Sequence, residues 1–148
     1  MTTWLISAHI FTTLSMTGII WFIQIVHYPL FQKISSSHFV DYEVNHTRLT
    51  SYLVMPLMVG ELITGCVLTL IYKSQNDLYL YCLLYAGMGL IVINWFVTLL
   101  FFVPIHRSLS REFNLEITRR LIALNWLRTI IWSSRSIIVL AIFTHNIK

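Results

Sequence analysis

Long apolar segments alternate with short polar connections along this chain. Four segments hold almost no charge and are long enough to span a membrane: about 4–31, 49–72, 79–104 and 120–144. A helix needs about 20 apolar residues to cross roughly 30 Å of hydrocarbon. Backbone groups in lipid must bond within their own segment, and no alternating strand pattern is present, so each segment is expected to be a helix. The pattern predicts an all-α fold, a transmembrane four-helix bundle.

The connections between the four segments are short, which favours an antiparallel bundle. Ser35, Ser36 and Ser37 can cap a helix that begins near His38 and runs into the second span. Asn114 can cap a helix that leads into the fourth span. The connection 73–77 has the composition of a tight turn. The first span lacks a preceding basic segment and a following cleavage site, so we expect it to be retained.

Composition agrees with this pattern. Of 148 residues, 57% are hydrophobic and 11% are charged, whereas soluble domains have about 25% charged residues. These values exclude a disordered chain, a coiled coil, a disulfide scaffold and an ordinary soluble enzyme. The length predicts a single integral membrane domain over residues 1–148.

The distribution of Lys and Arg predicts the orientation. The connections 32–48 and 105–119, with Arg120 beside the second, hold six Lys and Arg residues. The opposite side holds two, Lys73 and Lys148. The positive-inside rule therefore places both connections in the cytoplasm and both termini outside. Membrane lipids are the expected partners of this charge. The sequence contains no basic patch interleaved with aromatic residues, so we do not expect nucleic-acid binding.

Polar residues of the first span lie on one helix face. At 100° per residue, this face carries His9, Thr13, Met16, Ile20, Gln24 and His27. His9 lies toward the outer end and His27 toward the inner end. The two are 18 residues apart, or about 27 Å along a helix, so one ion cannot bind both.

Three histidines from separate regions are expected to meet at the inner membrane face. His27 ends the first span, His46 precedes the second, and His106 follows the third. Neutral imidazoles, with Glu43 nearby in sequence, suit a transition metal ion such as copper or iron, and imidazoles also serve as axial ligands of haem. We predict His27, His46 and His106 as metal ligands. The alternative is that these histidines contact headgroups or water, and that His9 forms a hydrogen bond to a neighbouring helix.

Three charges fall inside the predicted spans: Glu61, Arg128 and Arg135. A charge at the bilayer centre costs about 2.5–3.5 kcal/mol even on the gentler scale, so these side chains should face the interior and find partners. We expect Glu61 to pair with Arg128, which leaves Arg135 without a carboxylate or sharing Glu61. An unpaired Arg could bind a haem propionate, a lipid phosphate or a quinone oxygen. The alternative is a structural ion pair that sets the helix register.

The fourth span has one polar face, formed by Asn125, Arg128, Trp132 and Arg135. Trp132 lies between the two arginines in this sequence, so cation–π stacking is expected there. The predicted catalytic residues are Glu61, Arg128 and Arg135. The predicted cofactor-binding residues are His9, His27, His106, Asn125, Arg128 and Trp132.

The two cysteines, Cys66 and Cys82, lie toward the outer ends of adjacent spans. A disulfide between them is one alternative. We expect instead two small buried hydrophobic side chains.

The chain resembles a group of uncharacterised bacterial four-span membrane proteins over nearly its whole length. The residues that carry this resemblance include Trp21, Gln24, His27-Tyr28-Pro29-Leu30-Phe31, Tyr42, His46, Arg48, Glu61, Val103-Pro104-Ile105-His106, Asn125-Trp126-Leu127-Arg128-Thr129, Trp132 and Arg135. The resemblance implies the four-span fold and a location in a bacterial inner membrane, and it implies no function.

A more distant likeness is to the four-span membrane protoporphyrinogen oxidase family, on Trp4-Leu5, His9, Gly18 and Met55-Pro56-Leu57-Met58. This likeness implies a bundle that can bind haem. His9 is the one histidine of this chain that matches a histidine of that family. The charges inside the spans and the inner histidines depart from that family.

Three functions follow as expectations. The first is a membrane protein of the oxidoreductase class that binds haem b, a copper or iron ion, or both, and exchanges electrons with a quinone or another hydrophobic partner. The second is a non-enzymatic membrane module that binds a lipid or small anionic ligand, or that acts as an assembly partner. The third is a small transporter subunit. A homo-oligomer is compatible with each, and no GxxxG dimer face is visible.

Overall fold

Four long helices make up the computed structural model, which describes residues 2–73 and 77–146. Helix α1 comprises Thr2–Phe22, a π-helical turn Ile23–His27 and Tyr28–Phe31. Helix α2 is Ser36–Tyr72. Helix α3 comprises Leu78–Val97, a π-helical turn Thr98–Phe102 and Val103–Leu109, and helix α4 is Leu115–Asn146.

All four helices are long and apolar enough to cross a membrane. The helices form a closed ring, in which α1 and α3 each pack against both α2 and α4. The predicted all-α four-helix bundle is therefore confirmed. We call the end that carries the α1–α2 and α3–α4 connections the basic end of the bundle.

Two helix caps were predicted, and one of them is confirmed. Asn114 Oδ1 accepts a hydrogen bond from the Ile117 backbone N–H at 3.0 Å, as predicted for a cap of α4. Asp77 Oδ1 accepts one from the Leu80 N–H at 3.0 Å at the start of α3. That bond, with a second from His145, holds the pKa of Asp77 below its usual value. Ser35 precedes α2 but forms no capping bond to the backbone, because its hydroxyl bonds to His38 and Ser37 instead.

The helix that the serines introduce is continuous with the second span, as expected, so α2 has 37 residues. The middle of the turn predicted over residues 73–77 lies outside the described residues, since residues 74–76 are not among them.

Both π-helical turns end just before a proline. In α1 the N–H of Tyr28 bonds to the carbonyl of Ile23, and Pro29 follows. In α3 the N–H of Val103 bonds to the carbonyl of Thr98, and Pro104 follows. A proline has no N–H to complete the regular i to i−4 pattern, so the helix accommodates it with a wider turn.

The core has three layers along the bundle. The layer nearest the basic end is aromatic and includes Tyr28, Phe31, Phe39 and Phe102. The middle layer contains Met16, Ile20, Met58 and Trp132. The third layer contains Ile6, Leu68, Tyr72, Leu80, Leu84 and Ile142. Most large apolar side chains outside these layers are exposed, as expected for surfaces that face lipid.

Candidate functional site

Glu61 and Arg135 form a buried ion pair between α2 and α4. Arg135 donates to Glu61 Oε1 from Nη2 at 2.7 Å and from Nε at 3.1 Å. The expected Glu61–Arg128 pair is therefore wrong. Arg128 precedes Arg135 by seven residues on α4, so it lies about 10 Å closer to the basic end than Arg135 does. Glu61 lies at the depth of Arg135, its partner.

The ion pair belongs to a closed network that includes α1. Thr13 donates to Glu61 Oε1 at 2.7 Å, and Arg135 Nη2 donates to His9 Nε2 at 3.1 Å. Since His9 Nε2 accepts this bond, the ring proton is on Nδ1 and is donated to Thr64 Oγ1 at 2.7 Å. Both nitrogens of His9 are thus occupied, and a role as a haem ligand would require the loss of one bond. This network joins three helices where the interior is apolar, as hydrogen bonds between membrane helices do.

Asn125 and Trp132 are buried on the inner face of α4, where Trp132 lies between the two arginines and Asn125 lies one turn before Arg128. Asn125 Nδ2 donates to Gln24 Oε1 at 2.8 Å, which ties α4 to α1. In the described part of the chain, Asn125 Oδ1 and Trp132 Nε1 are buried and have no hydrogen-bond partner. The expected stacking of arginine on Trp132 is wrong, because the Arg128 guanidinium lies instead over the Phe102 ring, 4.6 Å from its centroid.

The structure brings together the three histidines of the basic end. The rings of His27 and His46 stack with centroids 4.4 Å apart, and those of His46 and His106 are 5.8 Å apart. Within the described residues, no three His, Cys, Asp or Glu side chains are placed so that they could hold one metal ion. The lone pairs of stacked imidazoles lie in parallel planes and do not converge, so a shared ion requires that these rings rotate.

Glu43 fixes the orientation of His106. The His106 Nδ1–H donates to Glu43 Oε1 at 2.6 Å, and the Glu43 side chain is fully buried. With Nδ1 occupied, Nε2 is the His106 nitrogen left for a ligand. Nearby, His46 Nδ1 bonds to Thr50 Oγ1 at 3.2 Å within α2.

A cavity of about 320 Å³ lies beside these histidines and is lined by all four helices. Its polar wall includes Tyr28, His46, His106, Arg107 and Arg128. Its apolar wall includes Met16, Ile19, Ile20, Val54 and Met58. The volume is within the range of about 300–1,000 Å³ that is common for ligand pockets.

Arg128 contributes a charge without an acidic partner to this cavity. Its side chain is 7% exposed. No carboxylate of the described residues lies within ion-pair distance of it, and its buried Nε has no hydrogen-bond partner there. An unpaired buried guanidinium is costly in a membrane interior, so the side chain marks a functional site more strongly than the paired Arg135 does.

Three of the predicted site residues, His46, His106 and Arg128, line the cavity, and the other predicted site residues do not. Tyr28 and Arg107 also line it, although the sequence indicated no role in a site for either. Thr98, whose hydroxyl is buried without a partner in the described chain, also lines the cavity. The signal for Thr98 is the spacing Thr98, Phe102 and His106, four residues apart each time on one side of α3.

Cys66 and Cys82 are free and exposed on the lipid-facing surface. The expectation that they are buried is wrong, because both fall on the outward faces of α2 and α3. They lie apart from the cavity and contribute nothing to it.

Comparisons with protein-family models, with curated proteins and with solved structures found no match to this chain. The function is therefore argued from the geometry of the cavity alone.

Proposed function

We propose that this protein is a membrane-embedded binding protein for an anionic amphiphile, a molecule with a carboxylate or phosphate head group and a hydrocarbon body. The observation that carries this proposal is the buried Arg128 guanidinium, which lines the cavity without an acidic partner among the described residues. An anionic head group would supply the missing counter-charge, and guanidinium matches carboxylate and phosphate geometry.

The two ends of the cavity suit the two ends of such a ligand. The cavity residues His46, His106, Arg107 and Arg128 lie toward the basic end, whereas Met16 and Met58 belong to the apolar middle layer of the bundle. A head group bound at the polar end therefore leaves its hydrocarbon chain among apolar side chains. Pockets of this kind bind through an apolar wall and a few placed polar groups.

The Glu43–His106 pair would complete the recognition of the head group. Glu43 accepts a hydrogen bond from His106 Nδ1–H and holds the ring in place, so Nε2 presents one fixed hydrogen-bond acceptor beside Arg128, which a phosphate O–H or a hydroxyl of the head group can meet. A single guanidinium attracts many anions, and a second oriented group adds selectivity among them.

The test uses native mass spectrometry of the detergent-purified protein with three probes: oleate, dodecyl phosphate and the neutral dodecanol. We expect oleate or dodecyl phosphate to bind and dodecanol not to bind. Arg128→Met should weaken binding of the anions at least about tenfold, the effect of roughly 1.4 kcal/mol. Arg128→Met should also fold, because it removes an unpaired buried charge.

Arg48→Met is the matched control, since Arg48 is exposed, bonds to Asn45 and does not line the cavity. This variant should bind the anions as the wild type does. Unchanged binding of both anions to a folded Arg128→Met variant would contradict the proposal.

A second candidate is the redox protein expected from the sequence, because His27, His46 and His106 meet at the basic end. In it these histidines hold haem b or a copper or iron ion, and a quinone or similar molecule occupies the cavity. Protein expressed with iron, copper and haem precursors should then show a Soret band or one metal ion per chain. Colourless and metal-free protein would exclude it. No specific feature favours the transporter or the assembly partner.

A further inference from the structure

We infer that the cavity is loaded sideways from the bilayer, through an opening between α2 and α3, and that its ligand is a membrane lipid with a phosphate or carboxylate head group. This inference rests on the proposed function and identifies the source of the anion. The alternative source is a free anion that enters from water.

The position of the opening follows from the exposure of the lining side chains. The exposed ones are Ser51 and Met55 on α2 and Val103 and Arg107 on α3. The side chains that α1 and α4 contribute are buried or half-buried, Arg128 among them. The cavity is therefore closed on the α1 and α4 sides and open between α2 and α3.

The opening extends from the membrane surface into the hydrocarbon region. His46 and His106 are neighbours and so lie at one level. Arg107 adjoins this level, and Met55 lies nine residues beyond His46 on α2, or about 13 Å deeper at 1.5 Å per residue. A side opening of this length faces lipid tails as well as head groups.

Polarity along the opening matches that of a lipid in the adjacent leaflet. Arg107 lies near the surface, Ser51 lies deeper, and Met55 lies deepest. A lipid beside the opening already has its head group and chain at these depths, so it can enter without turning over. A water-borne anion would leave the apolar wall around Met58 without a ligand.

The size of the cavity also favours a lipid that is only partly enclosed. Its volume of about 320 Å³ is at the lower end of the range of about 300–1,000 Å³ for pockets that enclose whole small molecules. A side opening removes this limit, since the head group and part of one chain can occupy the cavity while the remaining chain stays in the bilayer.

The protein is reconstituted into phosphatidylcholine vesicles that contain oleoyl lysophosphatidate, and uptake of this lipid is measured by native mass spectrometry after brief extraction. Val103→Trp and Met55→Trp each place a large ring at the opening, one from each side. Leu100→Trp is the matched control, because Leu100 is exposed on α3 but does not line the cavity. Inorganic phosphate and glycerol 3-phosphate, added to the water, are the free-anion probes.

We expect the wild type and Leu100→Trp to take up the lipid equally, and both opening variants to take it up at least tenfold more slowly with an unchanged thermal transition. The free anions should not compete. Competition by either free anion, or uptake by both opening variants at the wild-type rate, would overturn sideways loading. Arg128→Met separates the two proposals. Unchanged lipid binding by this variant contradicts the proposed function itself. If Arg128→Met loses lipid binding but both opening variants take up the lipid at the wild-type rate, only the route is contradicted.

Discussion

Two arginines on one face of α4 have opposite surroundings. Arg135 is bonded to Glu61 and His9, whereas Arg128 lies over the Phe102 ring beside the cavity and has no ion pair with any residue that the structure describes. Removal of one partner from a buried ion pair is strongly destabilising, because the remaining charge is left uncompensated. We therefore assign Arg135 to the stability of the bundle and Arg128 to the ligand.

Gly87 provides the space that the Arg135 guanidinium occupies. A Cβ at this position would lie 2.7 Å from Arg135 Nη1, and the guanidinium cannot easily withdraw because Glu61 and His9 hold it. We predict that Gly87→Ala lowers the free energy of unfolding by about 1–3 kcal/mol, the usual cost of overpacking. Thermal unfolding in detergent measures the effect.

Gly89→Ala is the control for this prediction, since a Cβ there meets nothing within 4 Å. Alanine favours a helix over glycine by about 1 kcal/mol, so this variant should be neutral or more stable. Equal stability of the two alanine variants would show that Arg135 moves freely.

At the scale of the elements, the π-helical turn of α3 determines which side chains reach the cavity. A turn with one extra residue rotates all later residues by about 100° relative to a regular helix. Thr98 begins the wider turn and His106 follows it, and both line the cavity. Loss of the extra residue would rotate His106 by about 100° relative to Thr98, so the wider turn sets the direction of the Glu43–His106 pair.

Pro104→Ala should restore the N–H that a regular helix needs and favour loss of this turn. We predict about tenfold weaker binding of dodecyl phosphate, roughly 1.4 kcal/mol, without a lower thermal transition. Pro56→Ala is the control, because Pro56 lies inside α2 with no π-helical turn before it. Equal affinities of the two variants would exclude the turn from a role in binding.

Asp77 makes the start of α3 sensitive to pH. Its pKa is held below the usual value by the Leu80 N–H and by His145, so folding favours the ionised carboxylate. The resulting stabilisation is present above the unfolded pKa of about 3.9 and is lost as the pH falls through the lower folded-state pKa. We predict that Asp77→Ala is less stable than the wild type at about pH 7 and that the difference shrinks near pH 3. A difference that is constant with pH would contradict this assignment.

At the scale of the whole molecule, the charge asymmetry predicts the direction of insertion. The basic end and its neighbouring residues hold six Lys and Arg residues, against two on the other side. We predict that alkaline phosphatase fused to the C-terminus is active in a bacterial host, because the enzyme folds outside the cytoplasm. A fusion after Ser110, in the α3–α4 connection, is the control and should be inactive. The reverse pattern would place the cavity and its ligand in the other leaflet.

Much of this molecule could be predicted from the sequence alone. The positions of the spans follow from the cost of charge in hydrocarbon, and the buried stripe from His9 to Gln24 follows from helical periodicity. The meeting of His27, His46 and His106 follows from the alternating direction of the spans. These features depend on each segment and on the order of the segments, which the sequence contains.

Only the tertiary structure decided which side chains are partners. The choice of Arg135 over Arg128 for Glu61 depends on how far α2 and α4 are shifted along each other, and one helical turn changes that depth by about 5.4 Å. The cavity depends on the gap between α2 and α3 and on the wider turn before Pro104. Packing among all four helices sets these quantities, and no local pattern of residues encodes them.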